Sequence, residues 1–188
     1  TLSLVGGATS QALTIPTLAY GAAGHVALNR GTTNSTLTLS TALTRVGTFN
    51  TVNLGTLVIN PSALANLGST EKVIISAGAP ANTAGAGGNI LTVPSVVAAQ
   101  FGVGQDANFV RYDATNGLML HNVTTVSSLA AAAATNVADI SAAVTAGAGN
   151  IDVLALRTSS NISPTNGSTL IRINNGGLII NGATAPTI

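Results

Sequence analysis

Short runs rich in Leu, Val, Ile and Thr recur along the chain, separated by Gly, Asn and Ser, and in many of them every second residue is apolar. TLTLS at 36–40 and TLIRIN at 169–174 show the alternation most cleanly. A period of two puts apolar side chains on one face of an extended strand and polar ones on the other. The pattern predicts half-buried strands at 2–5, 12–15, 17–20, 25–28, 36–39, 51–60, 72–76, 108–113, 117–123, 151–157, 169–173 and 178–181. The expected fold class is all-β.

Comparable runs begin at Leu37, Leu57 and Val73, and again at Ile151 and Leu170, intervals near 20 residues that suggest the coils of a solenoid. A sandwich or barrel would space its strands at roughly 8–12 residues and would carry more aromatics than Tyr20, Phe49, Phe101, Phe109 and Tyr112. Parallel coils stack at about 4.8 Å. Aliphatic ladders are then expected inside, with Ile179 among them, and Thr and Asn ladders along turns and outer faces, with Thr38 among those. Asn116-Gly117, Asn175-Gly176-Gly177 and Asn181-Gly182 accept positive φ at low cost and read as corners between strands. Pro61 ends the run before it, because proline cannot donate to a ladder.

Two segments break the rhythm. Residues 77–107 are rich in Gly, Ala and Pro and read as a loop or small excursion. Residues 127–148 carry five consecutive alanines after Ser127-Ser128, which fits either a short helix or a tightly packed coil turn.

Composition narrows the class. Of 188 residues only 6% are charged, against about 25% in ordinary soluble domains. The polar surface must therefore rest on neutral groups, chiefly 26 Thr and 18 Asn. A mean hydropathy of +0.50 with net charge +1 argues against disorder. No run reaches the roughly 18–20 apolar residues of a membrane-spanning helix. The six cations are scattered singly, which argues against nucleic-acid binding. Zero Cys removes disulfides and cysteine zinc sites.

The order TLSLVGGATSQ at 1–11, TLTLSTALTR at 36–45, a Val- and Leu-rich strand, FVRYDATNGL at 109–118 and SLAAAAATN at 128–136 resembles the autotransporter-associated β-strand repeats of large bacterial surface proteins. The resemblance covers roughly residues 1–182, and FVRYDATNGL is its most specific stretch. It implies a right-handed parallel β-helix, exported and displayed at the cell surface as part of a passenger stalk. The chain opens on a strand without a recognisable signal sequence and stops at APTI without a cap. It is expected to be one solenoid segment, 1–188, of a longer or assembling protein.

The chemistry-bearing residues read mostly as structural. Arg111 and Asp113 fall on one strand face and suggest a surface ion pair. Glu71-Lys72 suggests a solvated turn, and His25 and His121 sit beside apolar residues with too few acids nearby to complete a metal site. The stretch 85–90 has glycines but lacks the Asp of a calcium-binding repeat. The sequons at Asn34, Asn122, Asn161 and Asn166 are frequent by chance in a chain so rich in Asn and Thr. No catalytic, cofactor or metal residue is assigned. The first expectation is a non-enzymatic adhesive solenoid of the cell surface, whose partners are neighbouring coils, host surface or carbohydrate. The second is a self-assembling extracellular filament or sheath, and the third is a carbohydrate-active β-helix, whose discriminator is whether any exposed face gathers two or more of Asp106, Asp113, Asp139 and Asp152.

Overall fold

Strands this short bury too little alone, so each must find neighbours, and the Gly, Asn and Pro breaks between them dictate how the chain turns back. The computed structural model describes residues 1–21, 24–29, 31, 33–46, 55–85, 88–91, 95–100, 106–121, 124–126, 128–182 and 186–188. The protein is all-β, its strands divided among several separate sheets.

In the first half, β1 (Leu2–Val5), β2 (Gln11–Tyr20), β3 (Gly24–Asn29), β4 (Ser35–Arg45), β5 (Leu57–Asn60) and β6 (Glu71–Ile75) go alternately to two sheets. The odd-numbered strands pair in parallel with one another, and so do the even-numbered ones. Register stacks Leu2 on Val26 on Ile59, Leu13 on Leu37 on Val73, and Ile15 on Leu39 on Ile75. These ladders form the first core. Their inner members are sealed, with Leu37, Leu39 and Ile59 at 0% exposure, and each such side chain contributes on the order of 2 kcal/mol. Leu37 therefore pairs with Val73, while Leu57, the run between them, belongs to the other sheet. The spacing near 20 residues in this half measured the step between sheets rather than a full turn of the ladder.

The segment at 77–107 holds more structure than a loop. β7 (Asn82–Gly85) and β8 (Gly88–Leu91) form an antiparallel hairpin, after which β9 (Val96–Gln100) rejoins the first sheet in parallel beside β5. β10 (Asp106–Asp113) and β11 (Gly117–Leu120) then add antiparallel strands, so the pairing is not parallel throughout. The reversal at β10–β11 is local chemistry. Asp113 Oδ1 accepts the backbone N–H groups of Thr115 at 3.0 Å and Asn116 at 2.8 Å, and Gly117 takes φ +75°, which only glycine adopts at low cost.

The second half contains β12 (Thr124–Thr125), β13 (Val137–Ile140), β14 (Val144–Thr145), β15 (Asn150–Thr158), β16 (Ile162–Ser163) and β17 (Leu170–Ile180). β12, β13, β15 and β17 pair in parallel, as do β14 and β16. Interior ladders again stack apolar residues: Ala138 on Leu156 on Leu178, and Ile151 on Ile171. The short helix considered at 127–148 does not form. The alanine run gives a single 3-10 turn, Leu129–Ala131, without a side-chain cap from Ser128, and Ala132 is already extended. An isolated run this short nucleates poorly, and the Asn136 side chain accepts the Ala133 N–H to close a turn instead. Among the described residues no helix is long and apolar enough to cross a membrane.

Two sequence expectations about turns and faces change. Asn175-Gly176-Gly177 lies inside β17, where the register with β15 shifts, rather than at a corner, and Gly177 at φ +86° lets the strand bend there. Ile179 is buried at 7% exposure, but it packs with Ile90, Phe109, Val137, Leu154 and Ala155 in a cluster joining β10 to the second half, outside the interior ladder. Thr38 stacks on Thr14 at the outer positions as expected. The described Asn side chains act mainly as staples to backbone, within a turn as Asn29 does to Gly31 or between strands as Asn82 does to Tyr112, rather than as ladders.

Candidate functional site

Among the described residues, the largest gathering of paired charge lies over the joint between the two halves. Parallel register sets Asp139 of β13 directly beside Arg157 of β15. Arg157 Nε donates to Asp139 Oδ1 at 2.9 Å and Nη2 to Oδ2 at 2.7 Å, a two-pronged bond that matches a planar guanidinium to a carboxylate. β10 brings the remaining members. Arg157 Nη1 lies 3.6 Å from Asp106 and donates to the Ala107 carbonyl at 3.3 Å. Asn181, just beyond β17, donates from Nδ2 to Asp106 Oδ1 and to the Ala107 carbonyl, both at 2.9 Å, and accepts the Ala107 N–H at 3.1 Å.

Burial sorts these groups. The Arg157 and Asp139 side chains are 16% and 10% exposed, whereas Asp106 is 52% exposed. The hydrogen bonds that Arg157 donates to Asp139 raise its pKa above the ordinary value; burial opposes the rise, and the charges of Asp139 and Asp106 add to it. The cluster lies over the apolar joint of Ile90, Phe109, Val137 and Ile179, so it links three strands through their polar edges while the joint links them through apolar area. Chemically it is a closed staple: both Asp139 oxygens bond to Arg157, and Asp106 Oδ1 bonds to Asn181.

The structure thus brings together two of the four carboxylates considered, Asp106 and Asp139, around one cation. Asp152 pairs instead with Arg172 at 3.8 Å, on an exposed face. The expected Arg111–Asp113 ion pair is not among the described salt bridges, because Asp113 turns toward the backbone donors of its own turn. Those two N–H groups, Asn116 first, lower its pKa, with the charge of Arg111 a smaller aid. Glu71 also departs from expectation. It is fully buried rather than solvated, continues the Gln11–Ser35 ladder, and accepts the Ser62 N–H at 2.8 Å. Lys72 reaches Asn116 Oδ1 at 3.2 Å.

His25 on β3 and His121 after β11 are separated by β5, β9 and β10 in strand order. Among the described residues no group of three or more His, Cys, Asp or Glu could hold a metal ion. The glycine stretch at 85–90 spans the β7–β8 hairpin, with 86 and 87 outside the described residues. Asn34, Asn161 and Asn166 are exposed, and Asn122 lies outside the described residues.

Two tyrosines not singled out from the sequence hold backbone together. Tyr112 Oη donates to the Ile75 carbonyl at 2.7 Å and accepts the Ile75 N–H at 2.9 Å, which satisfies the outer edge of β6. Tyr20 Oη bonds to Ser95 Oγ at 2.7 Å. The signal for the Arg157 staple was present, since overlaying the Val137 and Ala155 runs sets Asp139 on Arg157. The contribution of β10 was invisible, because it comes from the other half of the chain. Comparisons with protein-family models, with curated proteins and with solved structures found no match.

Proposed function

We propose that this chain is a structural and adhesive β-solenoid segment of the bacterial cell surface, wound as a right-handed parallel β-helix and without a catalytic role. One observation carries the reading: two sheets receive the chain alternately while their interior positions stay in register from rung to rung, as in Leu13–Leu37–Val73 and Ile15–Leu39–Ile75. In such an array each rung is stabilised mainly by its neighbours. Length is thereby gained without enlarging the core, which suits a stalk that holds a binding region away from the cell. The neutral Thr- and Asn-rich surface supports the same use, since repeated charges stacked at rung spacing would repel one another. The resemblance to autotransporter-associated repeats supports export and surface display, with host surface or carbohydrate as the adhesive partner. The test is labelling of intact source cells with an antibody against this chain. Labelling of unbroken cells is expected, and labelling only after lysis overturns the location.

A further inference from the structure

We propose that the cavity between the far end of β4 and the start of β9 binds a small carboxylic acid in its ionised form. Arg45 holds the carboxylate, and the apolar body of the acid lies against Leu43, Leu91 and Val96. Such a site is independent of where the chain is displayed and of any adhesive partner.

The cavity exists because neighbouring strands stop at different points. β4 pairs with β2 as far as Arg45, but with β6 only as far as Leu39. The Ser76 N–H still donates to Leu39, after which residues 77–81 leave the sheet for the β7–β8 hairpin. The rows Leu18–Leu43 and Tyr20–Arg45, which continue the core-facing side of β2 and β4, therefore meet no strand beyond β4. A space of about 300 Å³ remains there, with Leu43 and Arg45 on one side and Pro80, Leu91 and Val96 on the other. It is bounded by β4, the hairpin and β9, all well inside the sequence.

Arg45 is an unusual residue for that face. It is partly buried, and a guanidinium withdrawn from water needs an opposite charge. None of the chain's five acids supplies it. Asp106 and Asp139 surround Arg157, Asp152 pairs with Arg172, Asp113 accepts amides of its own turn, and Glu71 accepts the Ser62 amide. All five are among the described residues, and no described salt bridge reaches Arg45. Arg45 Nε donates to the Gly55 carbonyl at 3.0 Å, which fixes one edge of the group. No described hydrogen bond occupies Nη1 or Nη2, the fork that meets a carboxylate in two parallel bonds.

A second donor lines the same space. Tyr20 Oη and Ser95 Oγ share a buried hydrogen bond at 2.7 Å. Two hydroxyls carry two hydrogens and that bond uses one, so the other is left for an acceptor. Tyr20 is the register neighbour of Arg45, which sets hydroxyl and cation side by side in the ladder. Donors in excess beside apolar walls select a ligand that is anionic at one end and apolar along the rest. A neutral sugar would leave the guanidinium uncompensated and its own hydroxyls against Leu43, Leu91 and Val96. The volume lies at the small end of ligand sites, roughly 300–1,000 Å³, and so suits a short-chain or single-ring acid.

The test is titration of the isotope-labelled 188-residue chain with hexanoate and with hexanamide, followed by backbone amide shifts. Hexanamide has the shape of the acid without its charge. Hexanoate is expected to saturate with a Kd of about 1 mM or below, and to bind at least about tenfold more tightly than hexanamide. The shifts should centre on Leu43, Arg45, Leu91 and Val96. Arg45→Gln should bind the two ligands equally, and Arg45→Lys should restore part of the preference. No saturation below about 10 mM, equal binding of acid and amide by the wild type, or shifts confined to other parts of the chain each overturn the site. A folded Arg45→Gln that keeps the preference overturns the role of Arg45. The comparison of the two ligands on the wild type needs no variant and decides the question even where Arg45→Gln fails to fold.

Discussion

Asp139→Ala isolates what the Arg157 staple contributes. The substitution deletes both oxygens that hold the guanidinium, at 2.9 and 2.7 Å, and leaves a cation only 16% exposed. Breaking a buried pair from one side costs about 3–5 kcal/mol, because the surviving charge has lost its compensation without regaining water. Asp106 at 3.6 Å and the Ala107 carbonyl at 3.3 Å remain, which places the expected loss near the lower end, about 3 kcal/mol. In a chain of this size each kcal/mol moves the melting temperature by about 2–4 °C, so a fall of about 10 °C should appear by circular dichroism. Asp106→Ala is the control, since Asp106 is half-exposed and its ion pair is worth about 0–1 kcal/mol. The double variant Asp139→Leu with Arg157→Met removes both charges and should be less harmful than Asp139→Ala alone. Because Asp139 raises the Arg157 pKa, the shift adds stability that is fully present below the unfolded value, already strongly basic, and is lost only as pH rises through the still higher folded value, so scans between pH 7 and 9 should show no dependence from this group. Asp139→Ala within about 1 kcal/mol of wild type would refute the buried-staple argument.

Three further outcomes follow from other parts of the fold. Tyr112→Phe removes the hydroxyl that both donates to and accepts from Ile75, and should cost about 1–3 kcal/mol and speed hydrogen exchange at the Ile75 amide. Gly117→Ala forces a side chain onto a φ of +75° with its Cβ 2.1 Å from the Val73 carbonyl oxygen, and should cost at least roughly 1–3 kcal/mol in urea unfolding; Gly7→Ala, with open space around it, should be near neutral. Asp113, whose pKa is lowered by the Asn116 and Thr115 amides, contributes stability above its unfolded pKa of 3.8 that is lost as pH falls through its lower folded value. The stability gap between wild type and Asp113→Asn should therefore narrow in acid, and a gap constant with pH would contradict the turn assignment.

The strands with clear alternation were legible because their cause is local, whereas β7–β9, β12–β14 and β16 lie in runs that were read as loops or turns or not read at all. Alternation in TLTLS and TLIRIN specifies extended backbone with one buried face whatever surrounds it, and Asn60-Pro61 ends β5 for reasons internal to proline. Glu71 was misread because adjacent charges usually mark a turn, and only the stacking of Gln11, Ser35 and Glu71 reveals a buried polar ladder. The alanine run was ambiguous on propensity, which favours helix, and was decided by the turn that Asn136 closes and by the strands on either side.

The sequence by itself determined that this chain is all-β, that its polar positions are carried by Thr and Asn far more than by charge, and roughly where β1–β6, β10, β11, β15 and β17 lie. Those properties depend on period, on glycine and proline, and on composition, all of which act within a few residues. Tertiary structure alone decided which strands pair, since Leu57 and Val73 look alike as runs yet enter different sheets. It also decided that Arg157 meets Asp139 and Asp106 across separations of 18 and more residues, and that Leu178 and Ile180 stack on Leu156 and Thr158. Long-range register brings together groups whose own neighbours in the chain carry no trace of one another.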